Sequence, residues 1–295
     1  MRVIPLIVNA LSVLFKKPLG VGGPIGLGAT ANVFLGQVEA PLLIKPYLSS
    51  MTRHELLIIM TVGMSTIAGS VMVVYTTMLF PIYGSGLIGH FLSASLISVP
   101  AAIMYANMMI PSNAKTDFPD EKSDDMYSSI MDAITQGTKN GLDIFLNVIA
   151  MLIVVMALVF LVNSMLGLLP NLNGNPITLE LMLGYLFAPL AWFMGIPWSE
   201  SIIAGQLLGV KTALNEFVAY LYLSDTENYQ LSDKTRMILL YALCGFANFS
   251  SVGILLSGLS AMVPERRADL ISVSGKALWC ALLASCLTGF IIGIL

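Results

Sequence analysis

Apolar residues fill long runs of this chain, and polar ones return at particular places inside them. Leu56–Phe80, Leu87–Ile110, Leu142–Leu169, Met237–Val263 and Leu270–Leu295 are each long enough to cross hydrocarbon, which takes ~20 mostly apolar residues. The first is interrupted at Gly63–Ser70 (GMSTIAGS) and the fourth at Phe246–Gly253 (FANFSSVG). Glycines and hydroxyls at such points bend a span or free its carbonyls. Val21–Leu35 is too short to cross, and Asn32–Pro41 (NVFLGQVEAP) places Gln37 and Glu39 beside Gly36. Polar groups at that depth cost free energy unless they face a partner or a water-filled cavity. A re-entrant hairpin with a polar tip is therefore expected. A second short arm, Leu181–Ile196, leads through Pro197 to Leu214-Asn215-Glu216-Phe217, which again sets a carboxylate beside a carboxamide.

The order is thus hairpin, broken span, plain span, then one connecting span, then the same order again. A hairpin does not change sides, so three crossings separate the two units and the second is inverted. Inverted repeats with broken helices and polar residues at mid-membrane mark secondary transporters. The expected fold is an all-α polytopic membrane protein. Residues 1–20 form an interfacial helix or the remnant of a span, 21–110 the first repeat, 111–140 a polar loop with an amphipathic helix, 141–170 the connecting span and 171–295 the second repeat.

Composition agrees: 57% of residues are hydrophobic and 11% charged, against about 25% charged in a soluble domain. The net charge of -3 matters less than its sidedness. Arg2, Lys16, Lys17, Lys45, Arg53, Lys115, Lys122, Lys139, Arg266, Arg267 and Lys276 fall on the side of the first hairpin, against Lys234 and Arg236 opposite. That bias puts the first hairpin and the acidic loop in the cytoplasm and the C-terminus outside. No basic, aromatic-interleaved run points to nucleic acid. Cys244, Cys280 and Cys286 lack metal-ligand spacing and lie in apolar runs, and His54 and His90 stand apart, so no zinc site is expected. The first residues lack a small-residue cleavage pattern.

Two chemistries compete for the buried carboxylates. Glu39 and Glu216 each stand beside a carboxamide, Gln37 and Asn215, inside apolar runs, and so mark a polar site within the membrane, whereas Phe246 on its own reads as core. Alternatively, Glu39 and Glu216 form the acid pair of an intramembrane hydrolase, since carboxylates sharing a site split their pKa values. Weighed against both is a buried structural ion pair or hydrogen bond for Glu39 and Glu216, with Lys211 as one partner, but their matching places in the two repeats favour a site. A non-transporting remnant or subunit is the third functional reading.

At these residues the chain resembles the concentrative nucleoside transporter family. The matching stretches are NVFLGQVEAPLLIKPYL (Asn32–Leu48), GMSTIAGS (Gly63–Ser70), LGYLFAPLAWFMGIPW (Leu183–Trp198), LNEFVAY (Leu214–Tyr220) and FANFSSVGI (Phe246–Ile254). The resemblance implies cation-coupled nucleoside symport across the cell membrane by a homotrimer working as an elevator. It places Gly36, Gln37, Glu39, Val71, Asn215, Glu216, Phe246, Asn248 and Ser251 at the nucleoside, and Asn32, Leu35, Thr66 and Ile67 at a sodium ion. No cofactor beyond the coupling ion is implied. Val38 stands where sodium-coupled relatives are expected to carry a hydroxyl, which makes proton coupling through Glu39 or Glu216 a competitor. Family members usually carry further spans ahead of the first hairpin.

Overall fold

The computed structural model describes residues 23–112, 129–170, 176–226 and 230–295, and every regular element among them is helical. The expected helix in residues 1–20 lies outside the described residues, as do much of the polar stretch 111–140 and most of the turn at PNLNGNP.

In chain order, α1 (Gly23–Ala31) leads through a turn to two short helices, α2 (Glu39–Leu42) and α3 (Lys45–Leu48). α4 (Arg53–Ser65) and α5 (Gly69–Tyr83) form one run broken at Thr66–Ala68, and α6 (Leu87–Met109) follows. α7 spans Ile130–Leu166. α8 (Leu179–Phe193), α9 (Trp198–Ala213) and α10 (Glu216–Ser224) come next. α11 (Asp233–Ala242), α12 (Phe249–Met262), a 3-10 turn at Pro264–Arg266 and α13 (Arg267–Ile294) complete the chain.

Local chemistry sets these boundaries. Thr52 and Glu55 form a capping box at the start of α4: the Thr52 hydroxyl accepts from the Glu55 amide and the Glu55 carboxylate from the Thr52 amide. Asn215, Ser232 and Asn248 each cap their own helix by accepting a backbone N–H within its first turn. α8 stops before Gly195, whose φ of 91° is open to glycine, and Pro197 begins α9 at a bend of 118°.

The helices fall into two units, one built on α7 and the other on the remaining elements. In the first, the helix expected from Leu142 already runs from Ile130, because Ser129 caps it by accepting from the Asp132 amide at 3.1 Å. The amphipathic stretch and the span are one helix.

In the second unit, α13 packs against α4, α6 and α11. It buries Ala277, Ala281, Ala284, Ser285, Gly289 and Gly293. Lipid gives helices no hydrophobic drive to associate, so close approach over small residues carries the packing. Among the described residues, three helical runs are long and apolar enough to cross a bilayer: Arg53–Tyr83 through its break, Leu87–Met109 and Pro264–Ile294. The bent pair of α8 and α9 is a fourth if taken as one span. The expected span Met237–Val263 is two helices, α11 and α12, parted at residues 243–248. The second polar turn, Leu214-Asn215, joins α9 to α10, which pack together; the expected arm Leu181–Ile196 is the separate helix α8. The two broken runs touch at their breaks, where the Phe246 amide donates to the Thr66 carbonyl at 3.4 Å.

Candidate functional site

Glu216 opens α10 and is 5% exposed. Its Oε1 accepts from the Tyr75 hydroxyl at 2.7 Å and its Oε2 from Asn248 Nδ2 at 3.0 Å. Asn248 is itself fixed, because its Oδ1 accepts from the Ser251 amide at 2.7 Å to cap α12. Asn215 Oδ1 accepts from the Val218 amide at 2.9 Å. The carboxylate therefore sits where α10 and α12 begin, at helix ends whose partial positive charge favours an anion. Both carboxamides spend their oxygens on helix amides, and Asn248 turns its nitrogen to the carboxylate.

The first hairpin turn meets the break between α4 and α5. The Gly69 amide donates to the Phe34 carbonyl at 3.0 Å. Gly63 admits the turn, since a β-carbon there would lie 3.3 Å from Gln37 Cβ and 3.6 Å from Asn32 Oδ1. Gln37 Oε1 and Asn32 Oδ1 are buried acceptors with no donor among the described residues, a costly state for a polar atom unless a ligand completes it. Asn32 Nδ2 donates to the Gly28 carbonyl at 3.0 Å. Val38 packs its γ-carbons on Gly258 of α12, so the turn reaches the second half of the chain.

The expected site residues separate into groups. Glu216, Asn248 and Ser251 form one hydrogen-bonded set, and Asn215, next to Glu216, caps α10 through the Val218 amide. Gln37 and Asn32 share the neighbourhood of Gly63, while the Glu39 side chain folds back over Gly36. Thr66 joins Phe246 through the backbone, and its hydroxyl donates to the Val62 carbonyl at 3.1 Å. Ile67 is fully buried. Leu35 packs its side chain with Ala31 and Ala40. Val71 is half-buried in the first turn of α5.

Tyr75 was not foreseen; its one signal is its place four residues after Val71 on the same helical face. The ion pair of Lys211 with Glu216, weighed above as the alternative to a site, does not form. Lys211 is fully buried and its Nζ donates to the Ala242 carbonyl at 2.9 Å, at the C-terminal end of α11. Glu39 and Glu216 are not hydrogen-bonded to each other: the partners of Glu216 are Tyr75 and Asn248, while Glu39 folds over Gly36.

A family model described as "Na+ dependent nucleoside transporter C-terminus" matches residues 90–293, and one described as "Nucleoside recognition" matches residues 1–81. Among curated proteins the chain is 38% identical to an uncharacterized transporter, YutK, of Bacillus subtilis (strain 168), over 99% of this chain and 72% of that protein. It is 36% identical to the nucleoside permease NupC of Helicobacter pylori (strain ATCC 700392 / 26695), over 100% of this chain and 70% of that one. The solved structure of CNTnw in an inward-facing substrate-bound state matches with a TM-score of 0.88 and 36% identity, covering 99% of this chain and 69% of that chain.

Proposed function

This chain belongs to the concentrative nucleoside transporter family, a family of transporters rather than enzymes, and on that premise we propose that it carries nucleosides inward across the cytoplasmic membrane together with sodium. The observation that carries this reading is the buried Glu216 carboxylate, held by Tyr75 and Asn248 where two helices begin. An acceptor-only group at that place suits the hydroxyl donors of a ribose. Gln37, Glu39 and Gly36 of the first turn, Asn215 beside Glu216, Ser251 beside Asn248, and Val71 and Phe246 complete the nucleoside site. The half-buried Phe246 ring supplies a face for the base.

For sodium, the residues of the first turn fit the ion. Asn32 Oδ1 is a buried acceptor without a donor among the described residues, and the C-terminal end of α4 is the negative end of its helix dipole. Together with the carbonyls of Leu35, Thr66 and Ile67 this is an all-oxygen set, which a hard cation prefers. The family model's description supports sodium over protons; Val38 supplies no oxygen from its side chain and packs on Gly258 instead.

The two hairpin turns with their broken spans then act as the moving part, in an elevator motion against a scaffold, within a homotrimer. The first hairpin lies toward the cytoplasm and the C-terminus outside. The first and second repeats are inverted relative to each other. Ion and nucleoside each raise the other's affinity, because linkage is reciprocal.

The test is uptake of radiolabelled uridine and adenosine into proteoliposomes, with inward sodium and proton gradients imposed separately. Accumulation above the outside concentration under a sodium gradient is expected. Accumulation driven only by protons would replace the ion. No gradient-driven uptake of either nucleoside would overturn the symport reading.

A further inference from the structure

The geometry points to Tyr75 as a positioning residue: its hydroxyl orients the Glu216 carboxylate so that the remaining acceptor positions select a ribose hydroxyl. This deepens the nucleoside reading above and rests on it. Tyr75 is 2% exposed, and its ring is held at centroid distances of 4.9 Å from Tyr220, 6.2 Å from Phe91 and 6.3 Å from Phe217. The Tyr220 hydroxyl points away from the carboxylate, donating to the Leu240 carbonyl at 2.8 Å, so it is the Tyr220 ring that packs on Tyr75. The ring stack therefore fixes where the Tyr75 hydroxyl lies, and the hydroxyl fixes Oε1 at 2.7 Å.

Asn248 holds the other oxygen, so the carboxylate is clamped from both sides. A carboxylate offers about four acceptor positions, and this clamp uses two of them. The others take only a donor. A ribose hydroxyl is one, and a deoxyribose lacks it at that carbon. Sites built to pair a substrate hydroxyl reject the analogue without it, because their buried polar group is left unpaired. With Tyr75 replaced by Phe the ring stack stays and the carboxylate turns free about the Asn248 bond, so the preference for the hydroxyl declines.

The experiment measures binding of uridine, 2′-deoxyuridine and 3′-deoxyuridine to the purified full chain in sodium, for wild type, Tyr75→Phe and Tyr220→Phe. Tyr75→Phe should weaken uridine binding about tenfold, as the loss of one charge-assisted hydrogen bond implies. It should weaken at least one deoxy analogue much less, so that the wild type's preference shrinks. Tyr220→Phe, which removes a hydroxyl from the same stack but not from the carboxylate, should keep that preference. If Tyr75→Phe does not fold, Tyr75→Met fills the space without a donor and gives the same test. An unchanged ratio of uridine to deoxyuridine affinities overturns the role of Tyr75, whether the affinities stay or fall together. Failure of the wild type to bind uridine overturns the nucleoside reading and this inference with it. Uridine binding lost in Glu216→Gln, beside an unchanged ratio in Tyr75→Phe, removes Tyr75 alone.

Discussion

Gly245 lies directly on the carbonyl of Ser65: a β-carbon added at Gly245 would stand 2.8 Å from that oxygen, and 3.1 Å from the Ser285 hydroxyl. Its φ of 147° is likewise one that side chains avoid. The two broken runs cross here, beside the bond from Phe246 to Thr66, so the break in each fixes the other.

Gly245→Ala should therefore lower thermal stability and uridine affinity together. Backbone strain of this kind costs ~1–3 kcal/mol, and the contact with Ser65 adds to it. Gly253→Ala is the control, since nothing lies within 4 Å of a β-carbon there and the site is a helix interior. A melting curve for each variant checks this: Gly253→Ala should melt at or slightly above the wild-type temperature.

Gly258→Ala should clash with Val38, because the new carbon would come within 2.7 Å of Val38 Cγ1. Uptake and melting temperature should both fall. Val38→Ala should restore much of the loss, so the double variant is milder than the sum of its parts. A double-mutant cycle on melting temperature reads this directly; additive effects would mean that the two residues do not touch in the working protein.

Much of this arrangement was legible in the chain. Gly63–Ser70 and Phe246–Gly253 read as breaks because their glycines and hydroxyls interrupt apolar runs, and the structure breaks the helices at Thr66–Ala68 and over 243–248. Glu216, Asn248 and Gln37 stand out because polar groups in such runs are costly without partners, and the structure bonds Glu216 to Asn248. What stayed hidden were partners that leave no pattern. Tyr75 looks like any aromatic residue in an apolar helix, and only the fold brings it to a glutamate 141 positions away. Lys211 invited pairing with a carboxylate, yet it is held by a backbone carbonyl, which every residue possesses. The early start of α7 also escaped notice, since Ser129 is one hydroxyl residue among several in a polar stretch.

Asn32→Ala should raise the sodium concentration needed for half-maximal uridine binding, and saturating sodium should recover most of the affinity. The reason is the buried Oδ1, an acceptor with no donor among the described residues. Titrating sodium at fixed uridine tests it. An unshifted sodium midpoint would remove Asn32 from the ion site.

Glu216→Gln should weaken uridine binding by about a hundredfold or more while the protein stays folded. The carboxamide is neutral and sets an NH2 donor where one carboxylate oxygen stood, so one of Tyr75 and Asn248 meets a donor and the acceptor-only face toward the ribose is lost; each charge-assisted bond is worth ~1.5–3 kcal/mol.

The most direct measurement is a calorimetric titration of uridine into the purified wild-type chain and Glu216→Gln, each with sodium and with choline in its place. Saturable binding to the wild type that tightens in sodium, and its loss in a Glu216→Gln protein of wild-type melting temperature, is the result predicted here. Equal uridine binding by both proteins, in either salt, would contradict the placing of a sodium-linked nucleoside site at Glu216.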